Sequence, residues 1–150
     1  EADEKYLLFA INHDVIDLVM KRYISAVKYT GSENADQRAK AISTFTNNPR
    51  CQLIVISIDA GGTGLDGLQK VCSRGGFIQF PWHPAKANQA EARLDRIGQL
   101  ERVGFDYFIG QDTRDERVME IIEAKRNITA EVFGEEMTAE VNFLDDLFKK

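Results

Sequence analysis

An α/β fold, built on an open, mostly parallel sheet covered by helices, is predicted for this chain by two observations. Short apolar runs alternate with helically patterned segments from residue 6 to about residue 126, the order expected of strand–helix–strand units joined by crossover connections. One run, Gln52 to Ile58, is β-branched and nearly all apolar, which suits a strand covered on both faces. Ligands to such sheets bind at the carboxyl ends of the strands, so function is sought in the segments that follow each run.

Tyr6-Leu7-Leu8-Phe9-Ala10 reads as the first strand. Asn12 and Asp14 are both competent N-caps, and Val15, Ile16, Leu18 and Val19 then recur at helical spacing. Ala26-Val27-Lys28-Tyr29 predicts a second strand and Thr30-Gly31-Ser32 a turn. Ala35, Ala39, Ile42 and Phe45 mark one face of a helix ending near Asn47-Asn48-Pro49. After the Gln52–Ile58 strand, Phe77 to Phe80 and Val103 to Ile109 read as two more. Pro84 to Arg96 suits a helix, with proline in its first turn and Gly98 just past its end. A last helix is predicted from about Asp115 to Arg126, with Val118, Ile121 and Ile122 on its apolar side. The Thr30-Gly31-Ser32 turn, the glycine turn after Ile58 and Phe80-Pro81-Trp82-His83 all follow strands and are expected to share one sheet edge.

The chain has 150 residues, 43% of them apolar, enough for a single domain that buries about 70% of its unfolded surface. Its net charge is −5, and six acids against two lysines over residues 131–150 carry −4 of it, which leaves −1 for residues 1–130. A nearly neutral body argues against a broad basic face for nucleic acid. It leaves room for a narrower grip by loop amides and a few basic side chains. Cys51 and Cys72 lack the paired C-x-x-C spacing of a zinc site, so no metal ligands are assigned and both are expected to be reduced, structural thiols. No stretch approaches the roughly 20 apolar residues of a membrane span. The acidic start, Glu1-Ala2-Asp3-Glu4, is unlike a signal peptide, and an intracellular protein without a membrane partner is expected.

Gly62, Gly64 and Gly67 spell G-x-G-x-x-G after the Gln52–Ile58 strand, a pattern that also marks dinucleotide sites. Such a site needs its glycines after the first strand of the domain and an acid about 20 residues on for the ribose. Two strand–helix units precede Leu53, and no Asp or Glu occurs from Leu68 through Ala90, so neither condition is met. A phosphate-cradling P-loop is excluded as well, because G-x-x-x-x-G-K-[ST] occurs nowhere in the chain. More telling is "WHPAKANQAEARLDRIGQ", Trp82 to Gln99, in which Gln89, Arg93 and Arg96 are spaced Q-x-x-x-R-x-x-R. On one helical face they would point the same way, and two guanidiniums side by side call for an anion such as phosphate. The plainer alternative is surface pairing of the two arginines with Glu91 and Asp95.

This stretch resembles motif VI of superfamily 2 helicases, and its ending, Arg96-Ile97-Gly98-Gln99, looks like the version in the SNF2 family of DNA translocases. Other motifs follow in family order. "KYLLFAIN", Lys5 to Asn12, looks like motif IV; "YTGSENADQRAKAISTF", Tyr29 to Phe45, resembles the D-G-S…R-Q…I…F block; Ser57 with "AGGTGLD", Ala60 to Asp66, is similar to motif V. "YFIGQDTRDERVMEIIEAKRN", Tyr107 to Asn127, resembles the strand, T-x-E-E-R and closing helix of the same family. The likeness implies a RecA-like sheet with helices on both faces, the second of two lobes that clamp ATP, over residues 1–134, followed by an acidic helical tail, 135–150.

By that resemblance Arg96 is the arginine finger that reaches the γ-phosphate and Arg93 contacts the same phosphates. Such a finger contributes about 10³ to 10⁵ in rate. Asp66 matches an acid that touches the ribose in related helicases. Gly61, Gly62 and Gly64 would let the backbone approach nucleotide and DNA phosphate, and Gln89 joins the nucleotide-binding set. For duplex DNA the family uses the segment at Gly31 and Ser32 and the motif V loop. Lys28, Arg38 and Lys86 are the basic candidates nearby, and Trp82 matches a tryptophan near the DNA groove. His83, Ala92, Asp95 and Ile58-Asp59 depart from the residues usual in the family, and the two aspartates put negative charge near the phosphate-facing edge.

The chain has neither a Walker A lysine nor a D-E-x-H acid, which are needed to position Mg²⁺ and the β,γ-phosphates. ATP with Mg²⁺ is therefore expected only together with an N-terminal RecA-like lobe, and this chain alone is expected to be inactive and monomeric. Two other readings stand beside a SNF2-like translocase lobe: a non-catalytic interaction domain that kept the fold, and a lobe of a DEAD-box-type RNA helicase.

Overall fold

Five strands line up in the order β2-β3-β1-β4-β5, and every neighbouring pair is parallel. The computed structural model describes residues 4–60, 65–81 and 83–133, without the side chains of 126 and 128–133. In chain order the elements are β1 (Tyr6–Ala10), α1 (His13–Arg22), β2 (Val27–Tyr29), α2 (Ala35–Asn47), β3 (Leu53–Ser57), a 3₁₀ turn (Leu68–Lys70), β4 (Arg74–Phe77), α3 (Pro84–Glu91), β5 (Gly104–Tyr107) and α4 (Arg114–Phe133). No helix among the described residues is long and apolar enough to cross a membrane.

β1 and β3 form the buried centre. Leu7 and Phe9 lie beside Ile54 and Ile56 in register and pack into one large cluster with Phe45 of α2, Ala87 and Ala90 of α3, and Val118 and Ile122 of α4. Leu8, Ala10 and Val55 point the other way, onto Ile16 and Val19 of α1. The alternation puts apolar side chains on both faces, which is why these strands carry almost no polar residues. Helices therefore cover both faces, as expected.

Local chemistry sets the helix ends. At α2 the Asn34 side chain accepts the Gln37 N–H (2.8 Å) while Gln37 Oε1 accepts the Asn34 N–H (3.0 Å), a reciprocal cap. At its far end Lys5 Nζ donates to the carbonyls of Phe45, Asn48 (2.9 Å) and Cys51 (3.0 Å), a cation placed where the helix dipole is negative. Asn12 takes the N-cap position of α1, but its side chain makes no capping bond; Gln79 Oε1 instead accepts the N–H groups of Ile11 (3.0 Å) and Asn12 (2.8 Å).

Four elements differ in their bounds from the sequence reading, β4 and α3 the most. The fourth strand, expected at Phe77 to Phe80, runs over Arg74–Phe77. Gly75 and Gly76, poor strand formers, hid it, and both are required by the close approach of neighbours. A Cβ on Gly75 would lie 2.8 Å from the Phe105 ring and 3.1 Å from the Leu7 carbonyl oxygen. One on Gly76 would overlap the Tyr6 hydroxyl and come within 2.8 Å of the Asp106 carbonyl oxygen. That hydroxyl donates to Asp106 Oδ2 (3.0 Å), which also pairs with Arg74 (3.0 Å). Burial, reinforced by the Asp106 carboxylate, raises the Tyr6 phenol above its usual range.

The helix expected from Pro84 to Arg96 ends at Glu91. Beyond it the chain tightens into turns closed by Arg93 N–H to Ala90 O (3.1 Å) and Leu94 N–H to Glu91 O (3.0 Å). Leu94 is fully buried, and the tighter winding carries it inward. Gln99 Nε2 ties the following segment to the Cys72 carbonyl at 2.9 Å, and Gly98 sits there at φ +98°, in the region that favours glycine.

The edge strand β5 is shorter than the Val103 to Ile109 run, and α4 begins at Arg114 and extends to Phe133, past the expected Arg126. The acidic tail expected over residues 135–150 lies outside the described residues.

Gly76→Ala is expected to destabilise the fold by about 1–3 kcal/mol, the usual cost of overpacking, read from denaturant unfolding. Cys51 and Cys72 are buried and not disulfide-bonded. Burial pushes the Cys72 thiol up to about 11. Because the thiolate is the nucleophile, alkylation of Cys72 in the native protein is expected to stay slow at neutral pH and accelerate as pH approaches 11; fast labelling at pH 7 would contradict the burial.

Candidate functional site

In a fully parallel sheet all carboxyl ends lie on one edge. The loop after β2 (Thr30 to Asn34), the start of the glycine turn after β3 and the segment after β4 that leads to His83 therefore gather there, as the sequence reading expects. A cavity of about 290 Å³ opens at this edge, lined by Phe9, Ile58, Asp59, Lys86, Gln89, Ala90 and Arg93. It lies over the ends of β1 and β3, beside the point where the strand order reverses, which is where open α/β sheets hold ligands.

α3 supplies most of the polar wall. Its N-terminus is set by His83 at the N-cap and Pro84 in the first turn, with proline's fixed φ already helical. Ala87 and Ala90 press the helix onto the sheet, and the Tyr107 hydroxyl donates to Glu91. Beneath it, Phe77 stacks on Phe9 (5.0 Å) and Tyr107 (5.4 Å), and Tyr107 on Phe80 (5.4 Å), a rigid aromatic floor.

The residues on either side of 61–64 are held in place. Ala60 N–H donates to Ser57 O (3.0 Å), and Leu65, on the far side, is fully buried. Gly61, Gly62 and Gly64, like Trp82, lie outside the described residues. Just after the turn, Asp66 accepts a bond from Arg96 Nη1 at 2.6 Å. The two arginines thus meet the segments on either side of residues 61–64: Arg93 lines the cavity with Ile58 and Asp59, and Arg96 is held by Asp66.

Their placement differs from the expected one. They occupy a turn beyond the end of α3 rather than one face of a continuous helix, and Arg96 pairs with Asp66, not with Glu91 or Asp95. The Asp66 side chain is 82% exposed and that of Arg96 38%, so the pair is wet and worth about 0–1 kcal/mol. A carboxylate bound so weakly can give way to a more highly charged anion. Asp66→Asn is accordingly expected to change folding stability by less than about 1 kcal/mol, checked by denaturant unfolding.

The basic candidates for DNA are each engaged within the lobe. Lys86 pairs with Asp59 at 2.8 Å, which the sequence reading did not link; only the fold brings these two together at the cavity mouth. Lys28 bridges Asp17 (3.5 Å) and Glu33 (3.7 Å). Arg38 turns inward to backbone carbonyls, as described below. Gly31 and Ser32 are exposed at the tip of their loop, and Gln89 faces the cavity. Among the described residues no group of three or more His, Cys, Asp or Glu side chains is placed to hold a metal.

An all-parallel lobe with a glycine turn and arginines at its carboxyl edge has the RecA-like architecture of nucleotide-driven motors. The solved C-terminal part of the Fun30 ATPase domain superposes on 78% of this chain and 38% of its own with a TM-score of 0.71 at 22% identity, which shows the fold. The chain belongs to the helicase conserved C-terminal domain family, whose profile matches residues 1–98. It is 30% identical to the DNA repair protein rad8 of Schizosaccharomyces pombe over 134 residues, and 31% identical over 147 residues to the bovine SWI/SNF-related matrix-associated actin-dependent regulator of chromatin subfamily A-like protein 1. It is also 28% identical over 149 residues to the ATP-dependent helicase ULS1 of Saccharomyces cerevisiae. These alignments cover 89%, 93% and 95% of the chain but only 12%, 15% and 9% of the relatives. The resemblance to SNF2-family ATPases read from the motifs holds, and the chain corresponds to their C-terminal helicase lobe.

Proposed function

We propose that this chain is the second lobe of an ATP-driven translocase of duplex DNA, complete only with a first RecA-like lobe that carries the Walker motifs and Mg²⁺. The observation that carries the reading is the placement of Arg93 and Arg96 at the carboxyl edge, Arg93 lining the cavity with Ile58 and Asp59 and Arg96 tied to the exposed carboxylate of Asp66.

The residues present fit a polyphosphate. Arg93 and Gln89 offer N–H donors on the cavity wall, and Arg96 offers a planar fork suited to phosphate once it leaves Asp66. Bound ATP would supply the phosphoryl bond whose hydrolysis drives motion. Arg96, the proposed finger, would meet the negative charge that develops on the transferred group, and Arg93 would hold the phosphates beside it. Asp66, freed from Arg96, becomes available to the ribose. The loop at Gly31 and Ser32 and the glycine turn would follow a DNA strand through backbone groups, consistent with a nearly neutral body that has no broad basic face. Relatives named for DNA repair and chromatin support a DNA substrate.

In the complete protein, Arg96→Ala is expected to lower DNA-stimulated ATP turnover by about 10³-fold or more while nucleotide affinity changes little, and this chain by itself is expected to hydrolyse no ATP. Near-normal turnover in that variant would overturn the reading in favour of a non-catalytic domain. Stronger stimulation by RNA than by duplex DNA in the same assay would favour an RNA helicase instead.

A further inference from the structure

We propose that Arg38 is a positioning residue for DNA engagement: it holds the Gly31–Ser32 loop in shape from behind and does not itself touch the phosphate backbone. The inference rests on the reading that this loop meets DNA, and it replaces the direct contact expected of Arg38 from the sequence.

The geometry is a clamp. Arg38 Nε donates to the Thr30 carbonyl at 2.9 Å and Nη2 to the Gly31 carbonyl at 3.1 Å, so one guanidinium bridges two successive peptide groups of the loop. Its carbon lies 5.5 Å from the centre of the Tyr29 ring, which fixes the plane of the fork. Four further bonds close the loop. Thr30 N–H donates to Glu33 Oε2 (2.6 Å), Ser32 N–H to the Thr30 hydroxyl (3.1 Å), and Asn34 and Gln37 cap α2 reciprocally.

Thr30 is fully buried and only 13% of the Glu33 side chain is exposed, so a carboxylate that would repel DNA is tucked beneath the loop. Gly31, by contrast, is exposed, and a Cβ built on it would meet no atom within 4 Å. The lobe itself leaves that side of the loop open. Turning the Thr30 and Gly31 carbonyl oxygens onto the guanidinium also removes two partial negative charges from the approach of a phosphate.

Lysine cannot reproduce this. Its ammonium is a point charge without a planar fork, although it serves well as a direct phosphate ligand. Position 38 therefore separates the two roles.

The test measures binding of a fluorescent DNA duplex to the complete protein across a salt titration, for wild type, Arg38→Lys, Arg38→Ala and Gly31→Ala, with thermal melting as a check on folding. If Arg38 positions the loop, Lys and Ala should both weaken DNA about tenfold, the scale of one charge-assisted hydrogen bond. The dependence of log affinity on log salt should stay as in wild type, since no charge facing phosphate has been removed. An Arg38→Lys protein that binds like wild type, with Arg38→Ala lowering the salt slope by about 1, would overturn the proposal and make Arg38 a direct contact. Gly31→Ala should melt like wild type and weaken DNA, because its methyl group occupies the open side. Unchanged DNA binding in that variant would show that the loop does not meet DNA, and that failure is distinct from a failure of the clamp.

Discussion

Parallel pairing of β1 with β3 on one side and β4 on the other is the constraint from which the rest of the molecule follows. Strands buried on both faces must be apolar throughout, so chemistry is pushed out of the sheet and into the segments beyond its carboxyl ends. Because every strand runs the same way, those segments converge on a single edge. The residues that follow β3, the loop after β2 and the wall formed by α3 share that edge although they are far apart in the chain.

That edge is held together by polar contacts of two kinds, which differ in how firmly they bind. Around Thr30, itself buried, the half-buried Arg38 guanidinium and Glu33 carboxylate and the exposed reciprocal cap of Asn34 and Gln37 all act on one short loop. Around the glycine turn the pairs Arg96–Asp66 and Lys86–Asp59 are solvent-exposed and individually weak. A lobe of this construction presents one preformed surface and one exchangeable set of charges. Under the proposed function the first would meet a phosphate backbone and the second a ligand that arrives, reacts and leaves.

The departures from the SNF2 pattern gain meaning in this setting. Asp59 lies at the cavity mouth against Lys86 and offsets a basic residue that would otherwise face the cleft. Glu91 accepts from the Tyr107 hydroxyl and so ties the end of α3 to the edge strand. The aromatic stack through Phe9, Phe77, Tyr107 and Phe80 supports that helix from below and transmits the position of the sheet to the arginines just past its end.

The sequence by itself determined the fold class, the family and the alternation of strands and helices, because hydrophobic periodicity and motif spacing are local signals carried by neighbouring residues. It placed β4 at Phe77 to Phe80, since Gly75 and Gly76 are poor strand formers and the room that Tyr6 and Phe105 of the flanking strands need does not show in a linear pattern. It also ran α3 on to Arg96, since helical spacing continues there while the pull of Leu94 into the core does not show in a linear pattern. Only the tertiary structure decided which carboxylate holds Arg96, that Lys86 meets Asp59, and that Arg38 faces its own loop. Those are choices among partners 7 to 30 residues apart, and they depend on where the packed sheet and helices leave each charged side chain its nearest counterpart.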